Sequence, residues 1–389
     1  MKLALIGVGQ AGGKIAEKFI EYDKRHGSPI VQSVTAINTA RGDLEGLEHI
    51  SPDDQLLIGQ TEVKGHGVGA DNELASTIFS KDRDEIQGAL DSIPVHGIDA
   101  FVVIAGLGGG TGSGGAPVVA RQLKRVHTEP VYGLGILPGS DEGGIYTLNA
   151  ARSLKTVVDE TDHLFVFDND AWRKTAESVQ SGYEQINEEI VRRFGLLFRA
   201  GEIHGDQAVA ESIIDSSEII NTFSGGGIAS IGYADTAVEP PESPGLLGRL
   251  RGDDHADIDS TNATNRITSL VRKATLGRLT LPCEVHGVER GLLVVAGPPP
   301  YLNRKGIERS RQWLEEQTGS MEIRGGDFPT GNESAVATVV VLAGVTQSDR
   351  LKELQQVAVE AQDAIDETTA DRDDAQSDLI ETDELDSLF

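Results

Sequence analysis

The chain is nearly free of cysteine, since Cys283 is the only one among its 389 residues. A single cysteine excludes a disulfide framework and a zinc site built from cysteines. The nine histidines are scattered along the chain and form no pair with the i, i+4 spacing of helical zinc sites. We therefore expect no metal ion held by a dedicated set of protein ligands.

Long apolar runs are also missing. The longest late run, Ala335 to Val345, falls well short of the ~20 residues that a helix needs to cross a bilayer. The opening residues, MKLALIGVG, form too short an apolar run for a secretory signal peptide. These absences predict a cytoplasmic protein with no direct membrane insertion.

Positive charge is scarce. The chain has 34 lysines and arginines against 62 aspartates and glutamates, which gives a net charge of −28. This balance argues against nucleic acid and anionic membranes as direct ligands. Because the acids are spread along the chain, they suit a protein that stays soluble in a high-salt cytoplasm, where charges are strongly screened. A few acidic tails on an ordinary surface are the alternative.

Glycine, in contrast, is abundant and concentrated in one stretch, Gly106 to Gly115, which reads GLGGGTGSGG. An apolar run at 100–105 predicts a buried strand before it, and Pro117 fits the first turn of a helix after it. A glycine loop between a strand and a helix N-terminus can direct several N–H groups at one anion. Thr111 and Ser113 add hydroxyl donors. The alternative is a flexible glycine linker.

A second glycine turn, Gly7 to Lys14, follows the first predicted strand and matches the dinucleotide fingerprint GxGxxG. This motif makes an NAD-dependent enzyme the rival interpretation. However, the second strand ends at Asn38 instead of the acidic residue that holds ribose in NAD folds. A Walker loop does not fit either, because Gly13 stands where lysine is required. The second glycine loop at 106–115 is also unnecessary in an NAD fold.

The rest of the chain predicts an α/β protein with two domains, as its length allows. Apolar residues from Val179 to Leu197 recur at steps of three and four, which predicts one long helix with a buried face. Beyond it, helices at 261–279 and 304–317 and strands at 284–296 and 335–345 predict a smaller α+β domain. Residues 239–260 have the composition of a mobile insertion.

The stretch GGGTGSG resembles the signature loop of the tubulin and FtsZ superfamily, and the match is closest to the CetZ family. The resemblance covers residues 1 to about 345. It implies a Rossmann-like parallel-sheet GTPase domain at 1–175, a central helix and connection at 176–205, and an α+β domain at 206–347. Residues 348–389 would form a helix and an acidic disordered tail.

The resemblance further implies that the chain binds GTP or GDP and polymerises longitudinally with copies of itself. Mg²⁺ is expected to be held mainly by phosphates and water. The implied cellular role is control of cell shape, with an FtsZ-like role in division as the alternative. A protein partner is expected for the acidic tail. A filament that does not hydrolyse nucleotide is a further alternative.

By the same resemblance, each part of the nucleotide has its candidate residues. The residues expected near the phosphates are Gln10, Ala11, Gly12, Gly13, Lys14, Gly108, Gly109, Gly110, Thr111, Gly112 and Ser113. Ala70, Asp71 and Asn72 are expected near the terminal phosphate, although their loop could be a plain surface loop. Asn38 is placed near the phosphates or ribose, and Glu142 near the ribose. FtsZ has an arginine where this chain has Tyr146.

Asn169, Tyr183 and Asn187 are the candidate base contacts. The stretch DNDAW at 168–172 resembles the corresponding stretch of tubulin. Tyr183 and Asn187 are one helical turn apart, so the ring could stack on a purine while the amides match guanine's polar edge. Tyr183 could equally be an ordinary core aromatic.

Asp215 and Glu218 are the candidate catalytic acids. In the superfamily, acids of this segment enter the nucleotide site of the next subunit, which implies hydrolysis that depends on polymerisation. The FtsZ pattern NxDxxD is matched except at its asparagine, which is Ile213 here. On a helix, the two acids would share one face. The alternative is helix capping by Ser216, with Asp215 favoured by the helix dipole.

Overall fold

One ten-stranded sheet organises the computed structural model, which describes residues 1–27, 29–172, 179–202, 214–238, 260–330 and 334–361. The strands are β1 (Leu3–Val8), β2 (Val31–Asn38), β3 (Gln55–Leu57), β4 (Ala100–Gly106), β5 (Val131–Leu137), β6 (His163–Asp168), β7 (Ile228–Ala237), β8 (Arg290–Gly297), β9 (Glu322–Pro329) and β10 (Ala335–Ala343). Their order across the sheet is β3-β2-β1-β4-β5-β6-β7-β10-β8-β9.

Helices pack against this sheet. They are α1 (Gly9–His26), α2 (Arg41–Glu45), α3 (Gln60–Val63), α4 (Asn72–Lys81), α5 (Arg83–Leu90), α6 (Gly110–Val126), α7 (Gly144–Glu160), α8 (Asn169–Trp172), α9 (Val179–Ala200), α10 (Ser216–Phe223), α11 (Ser260–Leu276) and α12 (Arg304–Thr318). Short 3-10 helices occur at Pro52–Asp54, Val95–Gly97 and Pro299–Tyr301, and residues 349–361 are also helical.

The first half of the sheet is parallel, from β3 to β7. Strands β1, β4 and β5 are buried on both faces, as continuous apolar runs predict. Val8 at the end of β1 is paired with Ala105 near the end of β4. The two glycine-rich segments therefore begin at the same level on the carboxyl edge of the sheet.

The two halves of the sheet meet through only two residue pairs, in which Leu164 and Phe165 of β6 lie beside Ile228 and Ala229 of β7. Beyond them β10 pairs antiparallel with β7 and β8, while β9 is parallel to β8. Helices α11 and α12 cover this half and share a separate apolar cluster with it. The predicted α+β character of the second half is confirmed, and the domain boundaries stay a prediction.

The structure differs from the prediction in the bounds of several elements and in one missed strand. The helix predicted at 261–279 ends at Leu276, and the strand predicted at 335–345 ends at Ala343. The strand predicted at 284–296 begins only at Arg290, because Gly287 adopts a turn with φ of +87°. Strand β9 was not predicted, because its apolar and polar residues do not alternate as they do in a typical half-buried strand. Helix α6 begins at Gly110, so Pro117 lies inside the helix and not in its first turn. The glycine-rich stretch is thus largely helical.

Two predictions fall outside the described residues: the mobile insertion, apart from Ser260 at the start of α11, and the acidic tail beyond residue 361. The long central helix is confirmed as α9. Among the described residues, no helix is both long and apolar enough to cross a membrane.

His163 gives the fold a testable sensitivity to acid. Its ring is buried beside Phe165 and Phe223, and this burial lowers the pKa of His163 to about 4. An unfolded histidine takes up a proton near pH 6.5, so the free energy of unfolding should fall as the pH drops from about 6.5 to about 4.

We expect His163→Met to reduce this acid-induced loss by up to about 3 kcal/mol. Denaturant unfolding at pH 7 and pH 4 measures the loss, and His96→Gln serves as the control because His96 is exposed. Equal losses in the His163→Met variant and the wild type would contradict the prediction.

Candidate nucleotide-binding cleft

A cleft of about 700 Å³ opens at the carboxyl edge of the parallel half-sheet. Its walls come from the ends of β1, β4, β5 and β6 and from helices α1, α6, α7 and α9. Twelve predicted site residues line it: Gln10, Ala11, Lys14, Gly108, Gly109, Gly110, Thr111, Gly112, Glu142, Asn169, Tyr183 and Asn187. The other predicted residues lie elsewhere.

Gly12 and Gly13 pack helix α1 against its neighbours and do not line the cleft. A Cβ on Gly12 would stand 2.1 Å from the carbonyl oxygen of Ile104, and one on Gly13 would stand 3.3 Å from Leu47 Cδ1. Gly9 turns the chain into the helix with φ of +73°. These glycines let α1 approach the sheet closely, so that Gln10, Ala11 and Lys14 reach the cleft.

The ammonium group of Lys14 already has partners within its own chain. Its ammonium group donates to the carbonyl oxygen of Gly46 and pairs with Glu17 at 3.2 Å. The side chain stays 42% exposed while it lines the cleft. A bound anion would therefore share this lysine with existing partners.

The glycine-rich start of α6 serves helix packing as well as the cleft. A Cβ on Gly110 would stand 2.5 Å from the carbonyl oxygen of Gly69, and one on Gly114 would stand 2.2 Å from that of Asn72. Gly115 likewise faces the ring of Phe79, at 2.4 Å. Gly109 differs, because nothing lies within 4 Å of its Cβ position. Among these residues, Gly109 alone has open space where a side chain would lie.

Ser113 is turned away from the cleft. Its buried hydroxyl donates to the carbonyl oxygens of Gly109 and Gly110. Thr111 does line the cleft, and its hydroxyl oxygen lies 2.8 Å from that of Thr39. Of the two predicted hydroxyl residues, Thr111 is therefore the one that lines the cleft.

Asn38 organises the loop after β2 and does not line the cleft. Its buried Oδ1 accepts from the N–H groups of Thr39 and Ala40, and its Nδ2 donates to Asp43 at 3.2 Å. Because Asn38 binds the N–H group of Thr39, it also helps to position the Thr39 hydroxyl that contacts Thr111. The structure thus uses Asn38 within the turn after β2 and not in the cleft wall.

The loop predicted near the terminal phosphate reaches the cleft through Gly69. Asp71 caps α4, since its carboxylate accepts from Leu74 N at 2.8 Å. Ala70 and Asn72 flank this cap and do not line the cleft.

Asn149 of α7 joins two of these loops, and the sequence analysis missed it. Its buried Nδ2 donates to the carbonyl oxygen of Ala70 at 2.7 Å and to that of Gly108 at 3.1 Å. Ser153, one turn later, donates to the carbonyl oxygen of Leu107 at 3.2 Å. An asparagine inside an ordinary amphipathic helix carries no sequence signal for this role.

The opposite end of the cleft gathers the predicted base and ribose contacts. Tyr183 and Asn187 lie one turn apart on α9, and Asn169 follows the end of β6. Asn169 is 5% exposed, and its Oδ1 accepts no hydrogen bond from the described residues. A buried acceptor of this kind fits a ligand that brings an N–H donor.

Glu142, the predicted ribose contact, and Tyr146 also line the cleft. The Glu142 carboxylate accepts from Gly139 N at 2.7 Å, which closes the loop after β5 on itself. Tyr146 is 37% exposed and brings a ring into the cleft wall. The position at which FtsZ has an arginine is thus part of the cleft wall, and here it carries a tyrosine.

Asp215 and Glu218 do not line this cleft and lie in the other half of the chain. Asp215 is itself the N-cap of α10, accepting from Glu218 N at 2.9 Å, and Ser216 is the first helical residue. The cap is therefore Asp215 and not Ser216, and the Asp215 carboxylate still lies close enough to Glu218 for its charge to act on it. Glu218 is half-buried, and burial, aided by the Asp215 charge, raises the pKa of its carboxyl. A raised pKa makes it a stronger proton acceptor.

The parts of the chain that the structure describes contain no group of three His, Cys, Asp or Glu side chains able to hold a metal ion. Any cation in the cleft would have to take most of its ligands from another source. Oxygen-rich anions and water are the usual ones for Mg²⁺.

Comparison with known proteins agrees with this geometry. A family model for the GTPase domain of the Tubulin/FtsZ family matches residues 2–177, and one for the C-terminal domain of tubulin-like CetZ matches residues 176–360. The tubulin-like protein CetZ1 of Haloferax volcanii is 66% identical over 371 residues, covering 94% of each chain.

Solved structures are similar over nearly the whole chain. CetZ1 from Haloferax volcanii, described as a GDP-bound monomer, has a TM-score of 0.83 at 61% identity and covers 93% of this chain and 100% of its own. CetZ2 from the same organism, described as a GTPγS-bound protofilament, has a TM-score of 0.82 at 43% identity, with coverage of 94% and 100%. These similarities confirm the predicted tubulin/FtsZ fold.

Asn149→Ala tests whether the amide holds the cleft loops together. The change leaves two buried carbonyl oxygens without their donor and should cost about 1 to 3 kcal/mol of unfolding free energy. Hydrogen exchange should accelerate around residues 68–71 and 107–110. Thr156→Ala, an exposed change on the same helix, is the control. Unchanged exchange in both loops would remove Asn149 from this role.

Proposed function

The chain belongs to the CetZ family of tubulin-like proteins, and from this premise we propose that its cleft binds GTP and that the bound chain assembles into cytoskeletal filaments. The observation that carries the proposal is the single cleft that gathers two glycine-rich segments at one end and Asn169, Tyr183 and Asn187 at the other. The NAD-dependent alternative is contradicted by the family assignment.

The two ends of the cleft have the chemistry that a guanine nucleotide needs. N–H groups at the starts of α1 and α6 and the hydroxyl of Thr111 face the anionic end, where helix dipoles also favour negative charge. At the other end, the buried Asn169 Oδ1 can accept from guanine N1–H or N2–H₂. The Asn187 amide adds a donor and an acceptor.

Magnesium is proposed as a companion of the phosphates. It would be held by phosphate oxygens and water, with Thr111 as a protein hydroxyl on the cleft wall, and would neutralise charge on the phosphates. The protein's own contribution is to position the nucleotide through backbone N–H groups and to exclude bulk water around it.

We propose that hydrolysis needs a second copy of the chain. A water nucleophile requires a group within hydrogen-bond reach, and neither Asp215 nor Glu218 lines its own cleft. A neighbour stacked longitudinally would present α10 to the cleft and supply Glu218 as the proton acceptor. Asp215 would hold the start of α10, as it does within one chain. Hydrolysis would then depend on polymerisation.

Control of cell shape is the cellular role that we propose from the family, and division is the alternative. We place the protein in the cytoplasm, and we propose that residues 362–389, outside the described part, bind a protein partner. The acidic composition argues against nucleic acid as a further partner.

The central experiment measures binding and turnover separately. Equilibrium binding of GTP, ATP and NAD should give measurable affinity for GTP and much weaker affinity for the other two. Phosphate release should then rise more steeply than linearly with protein concentration, because each site is completed by a second chain. Release strictly proportional to concentration would contradict the shared site.

Tyr183→Ala tests the base end. If the ring stacks on guanine, its loss should weaken GTP binding by roughly 1 to 3 kcal/mol, by analogy with base stacking on aromatics elsewhere. Tyr183→Phe keeps the ring and should bind nearly as well as the wild type. Equal affinities for the alanine and phenylalanine variants would show that the ring does not contact the base.

Glu218→Gln tests catalysis in trans. The variant should bind GTP normally, while hydrolysis at polymerising concentrations should fall by roughly 10²- to 10⁴-fold, the usual contribution of a positioned acid or base. Ser217→Ala is the matched control on the same helix, since Ser217 is exposed. Normal hydrolysis by Glu218→Gln would reject this residue as the proton acceptor.

A mixture of two defective variants tests the trans arrangement directly. Gly109→Val places a side chain in open space within the cleft wall, so it should block the nucleotide and leave the fold intact. It retains Glu218. Adding Gly109→Val to Glu218→Gln should restore part of the phosphate release, and no restoration from a variant that still joins filaments would argue for hydrolysis within one chain.

A further inference from the structure

The helical segment 349–361 returns from the second half of the chain to the cleft half. It follows β10, and Leu354 is fully buried in an apolar cluster formed mainly by the parallel half-sheet and its helices α4, α6 and α7. Leu351 packs against the same cluster. At its start, the buried Ser348 hydroxyl donates to the carbonyl oxygen of Pro282 at 2.7 Å. The segment is therefore docked on the cleft half by its own side chains.

Arg350 links this segment to the cleft wall. It is 7% exposed, and its Nη2 donates to the carbonyl oxygen of Pro138 at 2.8 Å. Its Nε lies 3.4 Å from Asp168 Oδ1, an ion pair without hydrogen-bond geometry, and its Nη1 pairs with Glu353 at 2.9 Å. One buried guanidinium thus touches the ends of both β5 and β6.

The two ends that Arg350 touches carry predicted ligand contacts. Pro138 itself lines the cleft and begins the loop that holds Glu142, while Asp168 directly precedes Asn169. A third contact ties these ends to each other, because Asp170 accepts from the N–H and hydroxyl of Ser140 at 2.9 and 2.7 Å. Arg350 therefore lies behind the ribose and base end, on the side away from the ligand.

Burial makes this contact costly to break. Asp168 is 2% exposed, and its carboxylate faces few partners besides Arg350 and the N–H of Asp170, at 3.3 Å. Burial raises the pKa of Asp168 to about 6, although the Arg350 charge acts in the opposite direction. Removing either partner would leave a buried charge uncompensated, which is far more costly than the loss of a surface pair.

We propose that Arg350 is a positioning residue for the nucleotide, and that cleft occupancy and docking of segment 349–361 strengthen each other. A ligand that holds Glu142 and Asn169 in place also fixes Pro138 and Asp168, the two anchors of Arg350. By linkage, a helix that docks better on the occupied cleft must raise affinity for the occupant by the same factor. Residues 362–389 follow directly, so their attachment point would report the nucleotide state.

The proposal rests on GTP or GDP being the occupant, so the wild type is measured first. If full-length wild type binds no guanine nucleotide, the proposed function fails and the coupling fails with it. If it binds GDP, the coupling can be judged by itself with the variants below. Monomeric protein with GDP avoids any contribution from assembly.

Arg350→Met keeps the apolar stem and removes the guanidinium. It should weaken GDP binding by roughly 3- to 30-fold, the range of coupling energies expected from a residue that touches no ligand. Lys352→Met is the matched control, because Lys352 lies on the same segment with its side chain 62% exposed and pairs only locally with Asp349. Arg350→Lys keeps the charge and should bind with intermediate affinity.

Hydrogen exchange separates positioning from general destabilisation. In the wild type, saturating GDP should slow exchange across 349–361, and Leu354→Ala, which loosens docking without touching Arg350, should also weaken GDP binding. In Arg350→Met, GDP should no longer protect this segment. Wild-type affinity in both Arg350→Met and Leu354→Ala, or exchange in 349–361 that ignores GDP, would overturn the proposal.

Discussion

The whole site depends on the close contact between helix α1 and the centre of the sheet. At Gly12 the helix backbone comes so near β4 that any Cβ would stand 2.1 Å from the Ile104 carbonyl oxygen. The same approach sets Gly9, with its φ of +73°, beside the start of α6, where its own Cβ would stand 3.0 Å from Gly112 N. Two helix N-termini thereby open onto one cleft, and the positive ends of both dipoles face the same volume.

Much of this arrangement could be predicted, because glycine and apolar runs are strong local signals. A glycine turn after a buried run predicts a strand–helix junction, and β1 and β4 confirm it. The helical start at Gly110 was missed, because glycine has a low helix propensity and a glycine-rich run therefore predicts a loop. Close packing of these glycines against α4 offsets the low propensity, and the sequence does not show this packing. The edge strand β9 was missed since its glycines and charges hide any alternation.

The supporting shell of the cleft could not be predicted at all. Asn149 and Arg350 donate to backbone carbonyl oxygens of residues far away in the chain, and such oxygens carry no side-chain identity. Thr39 likewise reaches a distant residue, through the hydroxyl of Thr111. Asn38 shows the converse: its type and place suggested ligand contact, whereas its amide is consumed by the turn that follows it. Sequence patterns reveal residues that a single helix or strand presents to a ligand. The contacts that hold those residues in place come from distant parts of the chain and depend on the tertiary fold.

These contacts show that the two halves of the chain contribute differently to the two ends of the cleft. Only two residue pairs join β6 to β7, so the backbone ladder between the halves is short, although one apolar cluster runs through both halves. Helix α9 and segment 349–361 supply the additional links, and both run to the same end of the cleft, where Tyr183 lines it and Arg350 supports it. A movement of one half relative to the other would consequently alter the end of the cleft that we propose for the ribose and base. The end proposed for the phosphates is built within the first half alone, from α1, α6 and the loop at Gly69, and would keep its shape during such a change.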